Sequence, residues 1–133
     1  MSVRRAIYLD SSAIVKMAVQ ESESGALLRF LRRRRVLLSS ALARTEVSRA
    51  LIPLGAEAVE RGHEALARVN LVRVSDRVLR AAGVLLPADL RSLDAIHLAT
   101  AQEVRDELAS IVTYDERMSA AGRRLGFKVT SPA

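Results

Sequence analysis

Short apolar runs alternate with stretches of helical periodicity along the chain, and this alternation constrains the fold more than any other feature. Residues 5–9 read as a strand, followed by a helix over 12–19 with Ser11 and Ser12 as N-caps. A second helix covers 23–34, with Leu27, Leu28 and Leu31 apolar, and a second strand covers 36–39. Helices over 41–52 and 56–69 flank Pro53 and Gly55, and lead to a short strand at 71–74. The pattern continues with helices over 76–85 and 92–104, the latter opened by Ser92, then a strand over 110–114. A helix over 116–125, stopped by Gly126, and a strand over 127–130 complete it. Strands that are unbroken apolar runs belong to parallel sheets covered on both sides. The expectation is an α/β fold, a central parallel sheet flanked by helices on both faces. With 133 residues, no internal repeat and no linker, residues 1–133 are expected to form a single domain.

Ligands of such sheets sit beyond the carboxyl ends of the strands, where the strand order reverses. Asp10 follows the apolar run Ala6-Ile7-Tyr8-Leu9, and Asp115 follows Ile111-Val112-Thr113-Tyr114. If these strands are neighbours across the switch point, both carboxylates face one crevice. Each also has a structural reading as the N-cap of the next helix; at Asp10 the neighbouring serines can supply the cap instead. Thr113 lies two residues before Asp115 and points to the same side of the strand, where its hydroxyl can orient a carboxylate or a bound water.

Two further acids lie on helices. Glu46 falls at the edge of the apolar stripe Ala43, Val47, Ala50 and Leu51. Its structural reading is a boundary residue paired with Arg49, three positions on. Asp94 begins a helix whose next residues, Ala95-Ile96-His97-Leu98-Ala99-Thr100-Ala101, must be buried, so it either serves the helix dipole or needs a partner. His97 reads as a buried, hydrogen-bonded histidine rather than a ligand, and His63 as a surface residue. Several carboxylates in one crevice repel one another unless a cation neutralises them. Oxygen-only donors favour Mg²⁺ or Mn²⁺ over Zn²⁺.

Composition narrows the chemistry. The absence of cysteine excludes disulfides, thiolate metal sites and thiol nucleophiles. The short apolar run before Asp10 is too brief for a signal segment, and no stretch approaches a membrane span, so a soluble cytoplasmic protein is expected. Lys and Arg number 21 against 15 acids, a formal charge of +6, which favours a polyanionic partner. Aromatic residues make up only 3%, so RNA recognition is expected through phosphate and shape rather than base stacking. The basic run at residues 32–35 is either a solvated helix end or an RNA contact.

Four ordered motifs resemble the PIN-domain ribonucleases, and most closely the VapC-type toxins of bacterial toxin–antitoxin pairs. They are Asp10-Ser11-Ser12-Ala13, Thr45-Glu46-Val47-Ser48-Arg49-Ala50, Arg91-Ser92-Leu93-Asp94-Ala95-Ile96-His97-Leu98-Ala99-Thr100-Ala101 and Thr113-Tyr114-Asp115-Glu116-Arg117-Met118. The resemblance implies a PIN-like fold and Mg²⁺- or Mn²⁺-dependent endonucleolytic cleavage of RNA. It implies Asp10, Glu46, Asp94 and Asp115 as the acidic set, with Asp10, Asp94 and Asp115 holding metal. Ser12 and Thr113 would support that set, and Arg91 would stand at the cleft edge toward substrate. Glu46 would orient the attacking water or hold a second ion. A homodimer and a cognate VapB-type antitoxin are the implied partners. The alternative of another class is an inert RNA- or partner-binding module of the same fold. A phosphatase of the haloacid dehalogenase type needs a second aspartate two residues after the first, where this chain has Ser12. A receiver domain needs paired acids at the first strand and a later lysine, which are not evident.

Overall fold

The computed structural model describes residues 5–33 and 36–133. Five strands, β1 (Ala6–Leu9), β2 (Leu37–Ser40), β3 (Asn70–Val72), β4 (Leu108–Val112) and β5 (Val129–Thr130), form one sheet in the order β3-β2-β1-β4-β5. All four pairings are parallel. From β1 the chain winds outward through β2 and β3, then returns to the other side of β1 for β4 and β5. The strand order therefore reverses between β1 and β4, and the adjacency expected for Asp10 and Asp115 is present.

Among the described residues seven α-helices flank the sheet: α1 (Ser11–Ala18), α2 (Ser24–Leu31), α3 (Ala43–Leu51), α4 (Ala56–Ala67), α5 (Asp76–Gly83), α6 (Ser92–Glu103) and α7 (Glu116–Arg124). Alternation along β1 separates two cores. Ile7 and Leu9 pack with Ile14, Leu27, Val47, Leu51 and Leu66 from α1 to α4. Ala6 and Tyr8 face the other way, toward Leu98 of α6 and Met118 and Ala121 of α7. Gly62 lets α4 close onto α3, since a Cβ there would stand 2.5 Å from a Leu51 methyl.

The sequence reading finds every element, with shifted ends. The β4 strand spans Leu108–Val112 rather than 110–114, because Tyr114 leaves the ladder and gives its N–H to the Ser12 hydroxyl. Asp115 consequently lies three residues past the end of the strand. Asp10 itself caps α1, accepting from the Ala13 N–H, so the expectation that the serines would free it from capping does not hold. Ser92 does not cap α6; the cap position is Arg91, without a side-chain bond, and Ser92 is the first helical residue. Ala50 is exposed rather than part of the α3 stripe. Helix α2 ends at Leu31, with Arg32 and Arg33 exposed; the remainder of the basic run, Arg34 and Arg35, and the start of the chain before Arg5 lie outside the described residues. No helix among the described residues is long and apolar enough to cross a membrane.

Candidate functional site

Register builds the site's inner wall. Leu9 pairs with Val112, which makes Asp10 and Thr113 the next residues on two adjacent strands. The Thr113 hydroxyl donates to Asp10 Oδ2. Oδ1 accepts from Ser12 Oγ at 2.6 Å and from the Ala13 N–H at 3.0 Å. Asp10 is 4% exposed, and burial raises its carboxyl pKa although all three hydrogen bonds pull it down. A carboxylate this buried costs several kcal/mol unless it is paired, so the donors offset only part of that cost. Ser12 and Thr113 thus both donate to the Asp10 carboxylate, one to each oxygen.

Asp94 and Asp115 form the rim. Thr113 links Asp115 to the inner wall, its Oγ1 accepting the Asp115 N–H at 3.1 Å. Asp115 Oδ1 caps α7 by accepting from Met118, which leaves Oδ2 facing Arg91. Arg91 bridges both acids, Nη2 to Asp115 Oδ2 at 2.9 Å and Nε to Asp94 Oδ2 at 3.3 Å. Burial, and then the charge of Asp115, raise the Asp94 pKa against the pull of Arg91.

Glu46 closes the third side, and not through Arg49. Its Oε1 accepts from Ser11 Oγ at 2.6 Å and meets His97 Nε2 at 2.7 Å. The opposite ring nitrogen of His97, Nδ1, lies 2.7 Å from the Tyr8 hydroxyl. Burial pushes the Glu46 pKa up, but the hydrogen bonds from His97 and Ser11 outweigh it and leave the carboxyl below its ordinary range. His97 is buried and bonded on both nitrogens, so neither is left to ligate a metal. His63 is exposed beside Glu60.

The donor set is four carboxylates with hydroxyl support, which is hard oxygen chemistry suited to a small divalent cation. In this arrangement a guanidinium already bridges Asp94 and Asp115, as a cation between them. Among the described residues no three acidic or histidine side chains converge as a ready metal cage. The sequence reading gave Tyr8 no role beyond its place in the apolar run, and Ser11 only that of an N-cap. The one available signal for Tyr8 was a polar tip ending an apolar run beside a histidine-bearing buried helix.

An acidic crevice at the switch point of a small parallel sheet defines an α/β protein with a carboxylate site. Residues 7–124 match the model of the PIN domain family. The chain is 57% identical over 128 residues to Ribonuclease VapC46 of Mycobacterium tuberculosis, covering 96% of this chain and 98% of that protein. The fold is similar to the crystal structure of Mycobacterium tuberculosis VapC20, a sarcin–ricin loop cleaving toxin. The TM-score there is 0.77 at 19% identity, covering 95% of this chain and 99% of that one. It is also similar to a toxin–antitoxin complex from Klebsiella pneumoniae, with TM-score 0.69 and 20% identity over 96% and 98% of the two chains. The chain belongs to the PIN-domain family and, within it, to the VapC group.

Proposed function

We propose that this chain is a divalent-metal-dependent endoribonuclease acting as the toxin of a type II toxin–antitoxin pair, working as one domain in the cytoplasm. The observation that carries the reading is the placement of Asp10, Asp94 and Asp115 around the β1–β4 switch point, with Glu46 on the adjoining wall. Identity to a VapC ribonuclease along nearly the whole chain supports it. In this reading Asp10, Asp94 and Asp115 hold Mg²⁺, with Mn²⁺ as an accepted substitute. The bound ion would supply an activated water and charge neutralisation at the scissile phosphate. Thr113 and Ser12 hold the Asp10 carboxylate in one orientation. Glu46, fixed by Ser11 and His97, accepts a hydrogen bond from the attacking water. Arg91 sits at the mouth of the crevice with its side chain 65% exposed, where its guanidinium can move from Asp94 and Asp115 to an RNA phosphate. The formal charge of +6 draws a polyanion toward that mouth.

A homodimer and a VapB-type antitoxin complete the proposal as partners, the antitoxin supported by the VapC relationship and the likeness to a toxin–antitoxin complex. Exposed large apolar side chains such as Ile52, Leu54, Val84 and Leu86 offer surface for such contacts. The test is cleavage of total cellular RNA by antitoxin-free protein with Mg²⁺, with Mn²⁺ and with EDTA, beside Asp94→Asn. Discrete fragments that need metal, vanish in the variant and carry 5′-phosphate and 3′-hydroxyl ends are expected. A 2′,3′-cyclic phosphate would contradict attack by water, and binding without turnover would leave a binding module.

A further inference from the structure

We propose that His97, with Tyr8 behind it, is a positioning residue that holds Glu46 in the crevice through a single ring tautomer. The inference rests on the nuclease reading for what Glu46 does, but the tautomer is independent of it. Tyr8, His97, Glu46 and Ser11 form a chain of three contacts at 2.7, 2.7 and 2.6 Å. A carboxylate only accepts, so the hydrogen shared between Glu46 and His97 belongs to Nε2. With that hydrogen on Nε2, Nδ1 of the neutral ring is an acceptor, and the Tyr8 hydroxyl 2.7 Å away is the donor that completes this tautomer.

Burial makes the device selective. Tyr8 is 0% exposed and His97 1%, so water does not compete for either partner. The two residues also meet edge to face, with ring centroids 5.8 Å apart, which fixes the imidazole plane. Tyr8 is set by β1 and His97 by α6, so the position of Glu46 on α3 is referenced to the sheet and to the helix that carries Asp94. Ser11 gives Glu46 a second donor from α1, the helix that Asp10 caps. The acid on the outer helix is thereby tied to the frame that carries the other acids.

The test has two arms. In the first, the imidazole nitrogens of His97 are assigned by nitrogen-15 NMR in the metal-free protein. Hydrogen on Nε2 and none on Nδ1 is expected; hydrogen on Nδ1 overturns the proposal. Tyr8→Phe should leave hydrogen on Nε2, held there by Glu46, and shift the Nδ1 resonance toward that of an unbonded nitrogen; an unchanged Nδ1 resonance in that variant also overturns it.

In the second arm, RNA cleavage is compared for His97→Gln, which can place an amide N–H near the Nε2 position, and His97→Asn, which cannot reach Glu46. A fall in kcat of about 10-fold or more is expected for Asn, with KM unchanged and partial recovery in Gln. Equal loss in both variants, with matched thermal stability, would assign His97 a packing role only. Glu46→Gln is measured alongside. If it cleaves as well as the unsubstituted protein, the role given to Glu46 in the nuclease reading fails, while the tautomer result stands or falls by itself.

Discussion

The inner wall and the rim of the crevice hold their acids in different ways. Asp10 and Glu46 are fixed by donors set in the frame: Ser12, Thr113 and a backbone N–H for one, Ser11 and His97 for the other. Asp94 and Asp115 are instead balanced by one charged, largely exposed side chain, Arg91. Fixed donors set direction at the cost of burying charge. A tethered guanidinium sets charge and can leave. The inner wall is built for orientation and the rim for exchange of one cation for another.

That contrast gives a ranking of effects. Asp10→Asn should abolish RNA cleavage while leaving the fold intact, as read by activity and circular dichroism; normal turnover would remove Asp10 from the site. The same variant tests the cost of orientation through pH. The folded-state pKa of Asp10 is raised above its unfolded value, so the folded chain retains a proton that the unfolded chain releases. The contribution of this group to stability is therefore full at low pH. It is lost as pH climbs from the ordinary carboxylate range through the folded pKa. In EDTA, thermal melting from pH 5 to pH 8 should show Asp10→Asn gaining on the unsubstituted protein as pH rises. A variant that loses ground to the unsubstituted protein, or keeps a constant difference, as pH rises would contradict the burial argument.

Thr113→Val removes a donor to Asp10 and the acceptor for the Asp115 N–H together. A loss of about 1–3 kcal/mol in chemical denaturation is expected, with a marked fall in cleavage. A neutral result would mean that water replaces the hydroxyl. The smallest effect falls on the rim. Arg91→Gln should change stability by no more than about 1 kcal/mol, because the pair is exposed and screened. It should lower the concentration of Mg²⁺ needed for half-maximal activity, since the guanidinium no longer competes for Asp94 and Asp115. A raised requirement would show instead that Arg91 assists metal binding.

Much of this contrast was legible in the sequence. The parallel sheet follows from unbroken apolar runs, and the acids at the ends of β1 and β4 follow from their positions after those runs. Thr113 was visible because period-two alternation sets it on the side of Asp115. Less legible was any choice between capping and function: Asp10 caps α1 and faces the crevice at once, through different oxygens, and Asp115 does the same for α7. Local sequence weighs such readings as rivals, although one carboxylate can serve both. The Glu46–His97–Tyr8 chain was not legible because its members lie 51 and 89 residues apart, joined only by the packing of α3, α6 and β1. Helical spacing offered Arg49 as the partner of Glu46, and the tertiary contact won.

The central claim is that acids on both wall and rim serve one divalent ion. Its most direct test is Mn²⁺ titration by calorimetry of the unsubstituted protein and of Asp10→Asn, Asp94→Asn and Asp115→Asn. The account predicts binding in the first and a loss of at least about 10-fold in affinity in each of the others, since even supporting groups around a metal are worth that much. Unchanged affinity in any one of the three would place that carboxylate outside the metal site and contradict the account.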